Sequence, residues 1–223
     1  MPALQIHCVE NGPIKTNTYF AVSGGEAVVI DPAWDGVELA RRFALMCPGV
    51  RVRALVATHG HADHIGGVAG MRRVLGPEVP FLISAADAGV IGPSIAEQRA
   101  SWDIETEDPC EPDVLLSEGD AVEVGDVRLE VIATPGHTPG GIVLHAQTDE
   151  GHVAFVGDTL FPGGHGRTDL PGGDTAEIYR SLAKMARLLP DETLCLIGHG
   201  PTTTIGTERE GNLFMRRAIR HNR

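Results

Sequence analysis

Four residues of metal-ligating type, His59, His61, Asp63 and His64, stand just after a short apolar run at 53–57 in a chain of 223 residues. Side chains two apart do not share a helix face. The segment Thr58-His59-Gly60-His61-Ala62-Asp63-His64 can therefore bring its side chains into one pocket only if a strand ends here and the chain turns. Neutral imidazole nitrogens and carboxylates are donors that zinc, iron and manganese accept. Three later segments repeat the design. Pro135-Gly136-His137 follows a strand-like run at 127–132, Gly157-Asp158 one at 153–156, and Gly198-His199-Gly200 one at 193–197. Each alone is weak; four together, in this order, point to a metal site assembled from strand ends.

The rest of the chain reads as strands at 4–9, 17–22, 27–30, 80–83, 121–124 and 141–145, and helices at 37–46, 68–75, 174–189 and 207–220. Residues 92–112, with three prolines, many acids and weak periodicity, read as a long surface loop that can also lie over a substrate. The order is strands, helices, strands, helices. That order favours an α+β fold with two mixed sheets face to face and helices outside, over a doubly wound parallel sheet. No Pro/Gly/Ser-rich linker interrupts it, so a single domain over residues 1–223 is expected.

Composition excludes more than it selects. A net charge of −12 with no Lys/Arg run argues against a nucleic-acid partner. No apolar stretch approaches the roughly 20 residues of a membrane span. The cysteines Cys8, Cys47, Cys110 and Cys195 form no C-x-x-C pair. Cys8 and Cys195 fall in apolar strand-like runs, so buried reduced thiols and a cytoplasmic location are expected. Oligomeric state leaves no mark in the sequence.

The H-x-H-x-D-H signature with Asp31-Pro32, His137, Asp158 and Gly198-His199-Gly200-Pro201-Thr202-Thr203-Thr204 resembles the metallo-β-lactamase-fold superfamily, and within it the short bacterial glyoxalase II-like (hydroxyacylglutathione hydrolase-like) enzymes. The resemblance covers nearly the whole chain and implies a four-layer αββα sandwich. It implies two divalent metal ions, zinc or else iron or manganese: His59, His61 and His137 holding one, Asp63, His64 and His199 the other, and Asp158 bridging them. It also implies attack on a thioester such as S-lactoylglutathione by a metal-bridging hydroxide, which Asp63 helps to orient. Asp31 would orient ligands from behind, and Arg167 would hold a glutathione moiety.

Two features depart from the eukaryotic-type enzymes: Asp169 stands where they have an aromatic hydroxyl, and the helical substrate domain they append after the last histidine is not expected here. A mononuclear-iron persulfide dioxygenase using His59, His137 and Asp158 is the nearest alternative. Asp158 argues against β-lactamase activity, the acidic composition against a tRNA-processing nuclease. A non-enzymatic metal-dependent binding module ranks below both, since structural sites are closed cages. His7, His145, His152 and His221 carry no expected role; His165, close after Asp158, can reach a substrate.

Overall fold

The central strands alternate their side chains between two cores, and that alternation decides the architecture. The structure, a computed structural model, describes residues 3–102 and 110–222. Strands β1 (Gln5–Asn11), β2 (Thr16–Ser23) and β3 (Glu26–Ile30) form an antiparallel meander. Helix α1 (Gly36–Met46) then crosses over to β4 (Arg51–Val56), parallel to β3. Short helices α2 (Ala62–Ile65) and α3 (Val68–Leu75) lead to β5 (Phe81–Ser84). A 3-10 turn at Ala88–Val90 and helix α4 (Ile91–Trp102) precede β6 (Val114–Leu116), and the six strands lie side by side in chain order.

The second sheet starts with β7 (Ala121–Val124), β8 (Val127–Ala133), β9 (Ile142–Thr148) and β10 (Gly151–Gly157), all antiparallel. A small hairpin, β11 (Leu160–Phe161) with β12 (Gly164–His165), and helix α5 (Thr175–Leu188) follow. Strand β13 (Leu194–Ile197) returns parallel to β10, and β14 (Thr203–Thr204) closes that edge. Helices α6 (Ile205–Gly211) and α7 (Leu213–His221) end the chain.

On β3, Ala27 and Val29 pack with Leu39, Phe43 and Met71 beneath α1 and α3. Val28 and Ile30 point the other way, onto Leu129, Leu144 and Phe155 of the second sheet. A strand buried on both faces is apolar throughout rather than alternating, as Glu26–Ile30 is after its first residue. The outer face of the second sheet, with Val143, Ala154 and Val156, meets Leu182, Met185 and Met215 of α5 and α7. Each fully buried side chain of this size contributes about 1.5–3 kcal/mol. The layers are helix, sheet, sheet, helix, so the αββα sandwich is the fold.

Three readings change. Ile91–Trp102 is helical, so the surface loop expected at 92–112 is a helix over its first half, while 103–109 lie outside the described residues. Pro93 falls in the first turn, where a missing N–H costs nothing. The single closing helix expected at 207–220 is two helices. Buried Asn212 is extended (φ −80, ψ 112), ends α6, and accepts the Phe214 and Met215 N–H groups that begin α7. Cys8 is exposed rather than buried because β1 is an edge strand, whereas Cys195 is buried as expected. The two- and three-residue strands β6, β11, β12 and β14 are too short to leave a periodic signal.

Candidate metal centre

All four expected segments leave the C-terminal ends of strands: β4 leads to His59-His64, β8 to His137, β10 to Asp158 and β13 to His199. Their ligand atoms meet. The donors of His59, His61 and His137, those of His59, His64 and Asp158, and those of Asp63, His64 and His199 each lie within 4.8 Å of one another. His61 Nδ1 stands 3.0 Å from His137 Nε2, and His64 Nε2 stands 3.2 Å from His199 Nε2. Asp63 Oδ2 lies 3.2 Å from both His64 Nε2 and His199 Nε2. Asp158 sits between the groups: Oδ1 is 3.4 Å from His64 Nε2, and Oδ2 is 3.7 Å from His137 Nε2 and 3.5 Å from His199 Nε2.

The far side of each ring is what makes this a ligand set. His137 Nδ1 reaches the Arg167 carbonyl at 2.7 Å, His199 Nδ1 the Ile14 carbonyl at 3.2 Å, and His64 Nδ1 the Asp31 carboxylate at 2.9 Å. Each of these partners only accepts, so each Nδ1 carries a proton and each Nε2 is the atom turned toward the cluster. The Nε2 atoms of His64 and His199 and Oδ2 of Asp63 then crowd together at 3.2 Å. Buried His59 Nε2 and Asp158 Oδ1 have no hydrogen-bond partner among the described residues. Unpaired buried acceptors are costly, and divalent cations would satisfy these. The donor set fits them.

Protonation follows the same logic. Burial, then the neighbouring histidine charges, hold His59 well below its ordinary pKa. Burial, then His137, hold His61 at about 4, and burial likewise holds His137 at about 4. These three imidazoles are neutral at pH 7, the form that binds a cation. Burial works against charging His64 too, but Asp63, Asp158 and Asp31 outweigh it and push that pKa well up. Asp63, despite its burial, is held well below the carboxylate range by His64 and His199.

Asp31 lies behind the ligand loop: Thr58 donates its N–H to Oδ1 at 2.7 Å and its hydroxyl to Oδ2 at 2.8 Å, beside the His64 contact. Gly198 must lack a side chain, because a Cβ there would lie 2.0 Å from Asp158 Oδ1 and 2.7 Å from His64 Cε1. Arg167 is exposed and makes a bidentate pair with Asp169, both bonds 2.7 Å. It still reaches the site's mouth: a cavity of about 260 Å³ beside His61 is walled by Val90, Pro93, Glu97, Arg167 and Leu170. His165 is not among the ligands; it packs on Phe214 and Tyr179. His145 and His152 contact each other on β9 and β10. Three supporting residues went unread in the sequence. Asn17 ties the 197–200 segment through the Ile197 and Gly200 carbonyls, Thr16 Oγ1 lies 3.5 Å from Asp63 Oδ2, and Asp87 is fully buried beside the ligand loops. Polar residues opening an apolar strand, or directly following one, were the available signal.

The family profile described as the Metallo-beta-lactamase superfamily matches residues 11–199. The chain belongs to the metallo-β-lactamase superfamily. Within that superfamily it is 33% identical over 192 residues to the hydroxyacylglutathione hydrolase GloC of Haemophilus influenzae, spanning 85% of this chain and 87% of that one. Two solved metallo-β-lactamase-fold structures superpose closely. The BLEG-1 B3 metallo-beta-lactamase gives a TM-score of 0.84 at 31% identity, covering 95% of this chain and 99% of that one. TTHA1623 in a di-iron-bound form gives 0.82 at 34% identity, covering 93% and 99%. A metallo-hydrolase of this superfamily, with a His/Asp cluster suited to divalent metal, is thereby established. Among the described residues no helix is long and apolar enough to cross a membrane.

Proposed function

We propose that the protein is a dinuclear metallo-hydrolase that cleaves a small-molecule thioester, with a glutathione thioester of the S-lactoylglutathione type as the leading substrate. The observation that carries this reading is the pair of equally tight ligand groups with Asp158 between them. A mononuclear iron site of the persulfide dioxygenase kind would use His59, His137 and Asp158, and metal content separates the two readings. In this reading His59, His61 and His137 would hold one cation and Asp63, His64 and His199 the other, with Asp158 available to both. When bound, two such ions supply Lewis-acid polarisation of a carbonyl and a water acidic enough to lose its proton near neutral pH.

The chain's own groups do the rest. Asp63, kept anionic and steadied by Thr16, accepts a hydrogen bond from the attacking water. Asp31 and the Arg167 and Ile14 carbonyls hold the rings in the ligating tautomer. A departing thiolate, with a thiol pKa of about 8.5, leaves without a general acid, so a site rich in acceptors suits a thioester. Arg167 exchanges Asp169 for a substrate carboxylate at the mouth of the cavity. GloC is the relative whose name supports glutathione thioesters; a cytoplasmic location agrees with that substrate.

The test pairs elemental analysis with three assays: hydrolysis of S-lactoylglutathione, oxygen uptake with glutathione persulfide, and hydrolysis of a chromogenic β-lactam. The last is included because BLEG-1 bears a β-lactamase name. The expected result is two metals per chain, thioester turnover, and loss of both metals in Asp158→Ala. One iron with oxygen uptake, or β-lactam turnover without thioester turnover, would overturn the proposal.

A further inference from the structure

Asp87 lies just after β5, outside every ligand segment, and its side chain is wholly buried. Its two carboxylate oxygens have different partners. Oδ2 accepts the N–H of Gly60 at 2.8 Å, and Oδ1 accepts the N–H of Gly140 at 2.5 Å. Gly60 separates His59 from His61. Gly140 closes the turn that carries His137, whose base is tied by Thr134 N–H to the Gly141 carbonyl at 2.7 Å. One carboxylate therefore spans the two segments that contribute the His59, His61 and His137 group.

The fit is close enough to dictate residue type on both sides. A Cβ at position 140 would fall 2.5 Å from the Asp87 nitrogen and 2.7 Å from Oδ1. One at position 60 would fall 3.0 Å from the Asp87 carbonyl and from Val90 Cβ. Neither glycine has a positive φ; Gly140 is needed because Asp87 closes against it, and Gly60 is tight against Asp87 and Val90. Burying a carboxylate is expensive unless charge-assisted hydrogen bonds compensate. Here burial pushes the Asp87 carboxyl above its ordinary pKa while the Thr138 side chain and the two backbone N–H groups pull it back. Such a group is a poor choice for stability alone, since an apolar side chain would fill the space more cheaply. Asp31 offers the comparison: it anchors the other end of the same ligand segment, through Thr58 and His64.

We infer that Asp87 is a positioning residue for the first metal position. By holding the Gly60 and Gly140 amides on its two oxygens, it sets the separation between His61 Nδ1 and His137 Nε2. The affinity of that position for a divalent cation depends on the separation. The inference rests on the dinuclear reading above. Its mark is selectivity, because the Asp63, His64 and His199 group hangs instead on Thr16, Asp31 and the Ile14 carbonyl.

The experiment is a titration of metal-free protein with Zn²⁺ against a chromophoric chelator, on wild type, Asp87→Asn and Asp87→Ala, with melting of each metal-free form alongside. Two zinc midpoints are expected for wild type. One of them should weaken about 10-fold in Asp87→Asn, which keeps one anchor, and about 100-fold in Asp87→Ala, while the other stays put. Lower stability of the metal-free variants with both midpoints unchanged would overturn the role of Asp87 and leave the dinuclear reading standing. A wild type that takes up only one zinc would overturn the dinuclear reading and the inference with it. Should Asp87→Ala not fold, Gly140→Ala, whose Cβ displaces the Asp87 carboxylate, must show the same selective loss; unchanged midpoints there would equally overturn the role.

Discussion

Asparagine at position 31 separates charge from shape at the second ligand group. Asp31 has φ 51, in the left-handed region, which asparagine tolerates better than most residues. The backbone should therefore keep its course. The hydrogen bonds cannot all survive. The carboxylate accepts from Thr58 N at 2.7 Å, Thr58 Oγ1 at 2.8 Å and His64 Nδ1 at 2.9 Å. An amide that keeps its oxygen on the Thr58 N–H turns its NH₂ toward His64 Nδ1. The NH₂ only donates, so His64 gives up its Nδ1 proton and keeps one on Nε2 alone, the atom that faces His199 and Asp63 at 3.2 Å. A protonated Nε2 cannot bind a cation. The lost interaction is a charge-assisted hydrogen bond worth about 1.5–3 kcal/mol, which at about 1.4 kcal/mol per decade is roughly a 10- to 150-fold loss in affinity. Zinc titration of the metal-free variant should show that loss at one position, and ¹⁵N spectra should show His64 Nδ1 without the proton it donates to Asp31 in wild type. A variant that binds both ions with wild-type affinity and keeps the proton on His64 Nδ1 would refute the tautomer argument.

Other outcomes follow from the same coordinates. Gly198→Ala forces a Cβ to within 2.0 Å of Asp158 Oδ1; metal affinity or turnover should fall about 10- to 100-fold in a folded protein, and full activity would contradict the contact. Phe155→Ala empties a fully buried position between the sheets, against the ring of Tyr19 at 5.5 Å; denaturant melts should show a loss of about 3–5 kcal/mol, and a loss below 1 would be inconsistent with that packing. Asn212→Ala removes the cap of α7 and the bond to the Gly164 carbonyl at 2.9 Å, costing about 1–2 kcal/mol in the same assay. Arg167 holds exposed Asp169 at a pKa of about 2, so the pairing persists at neutral pH and is lost only as pH falls toward that value. In Arg167→Ala an NMR titration should find Asp169 back near roughly 3.9; no rise would show that the pair is absent in solution.

Residue order is enough to reveal the metal chemistry. His59, His61, Asp63 and His64 lie within one turn of a strand end, and ligand-type residues at such spacing have few other uses. The two-sheet architecture was legible for a related reason: strands such as β3 carry their burial pattern in their own apolar side chains. Long-range arrangement was not legible. Helix α4 was read as loop because its weak periodicity hides which face packs. The break at Asn212 was missed because an asparagine becomes a cap only when its neighbours bury it. The ligating tautomers depend on carbonyls of Ile14 and Arg167, residues 185 and 30 positions from the rings they orient. Asp87 meets Gly60 and Gly140 across 27 and 53 positions. Backbone amides carry no sequence label, so a contact between a side chain and a distant peptide group exists only once the chain has folded.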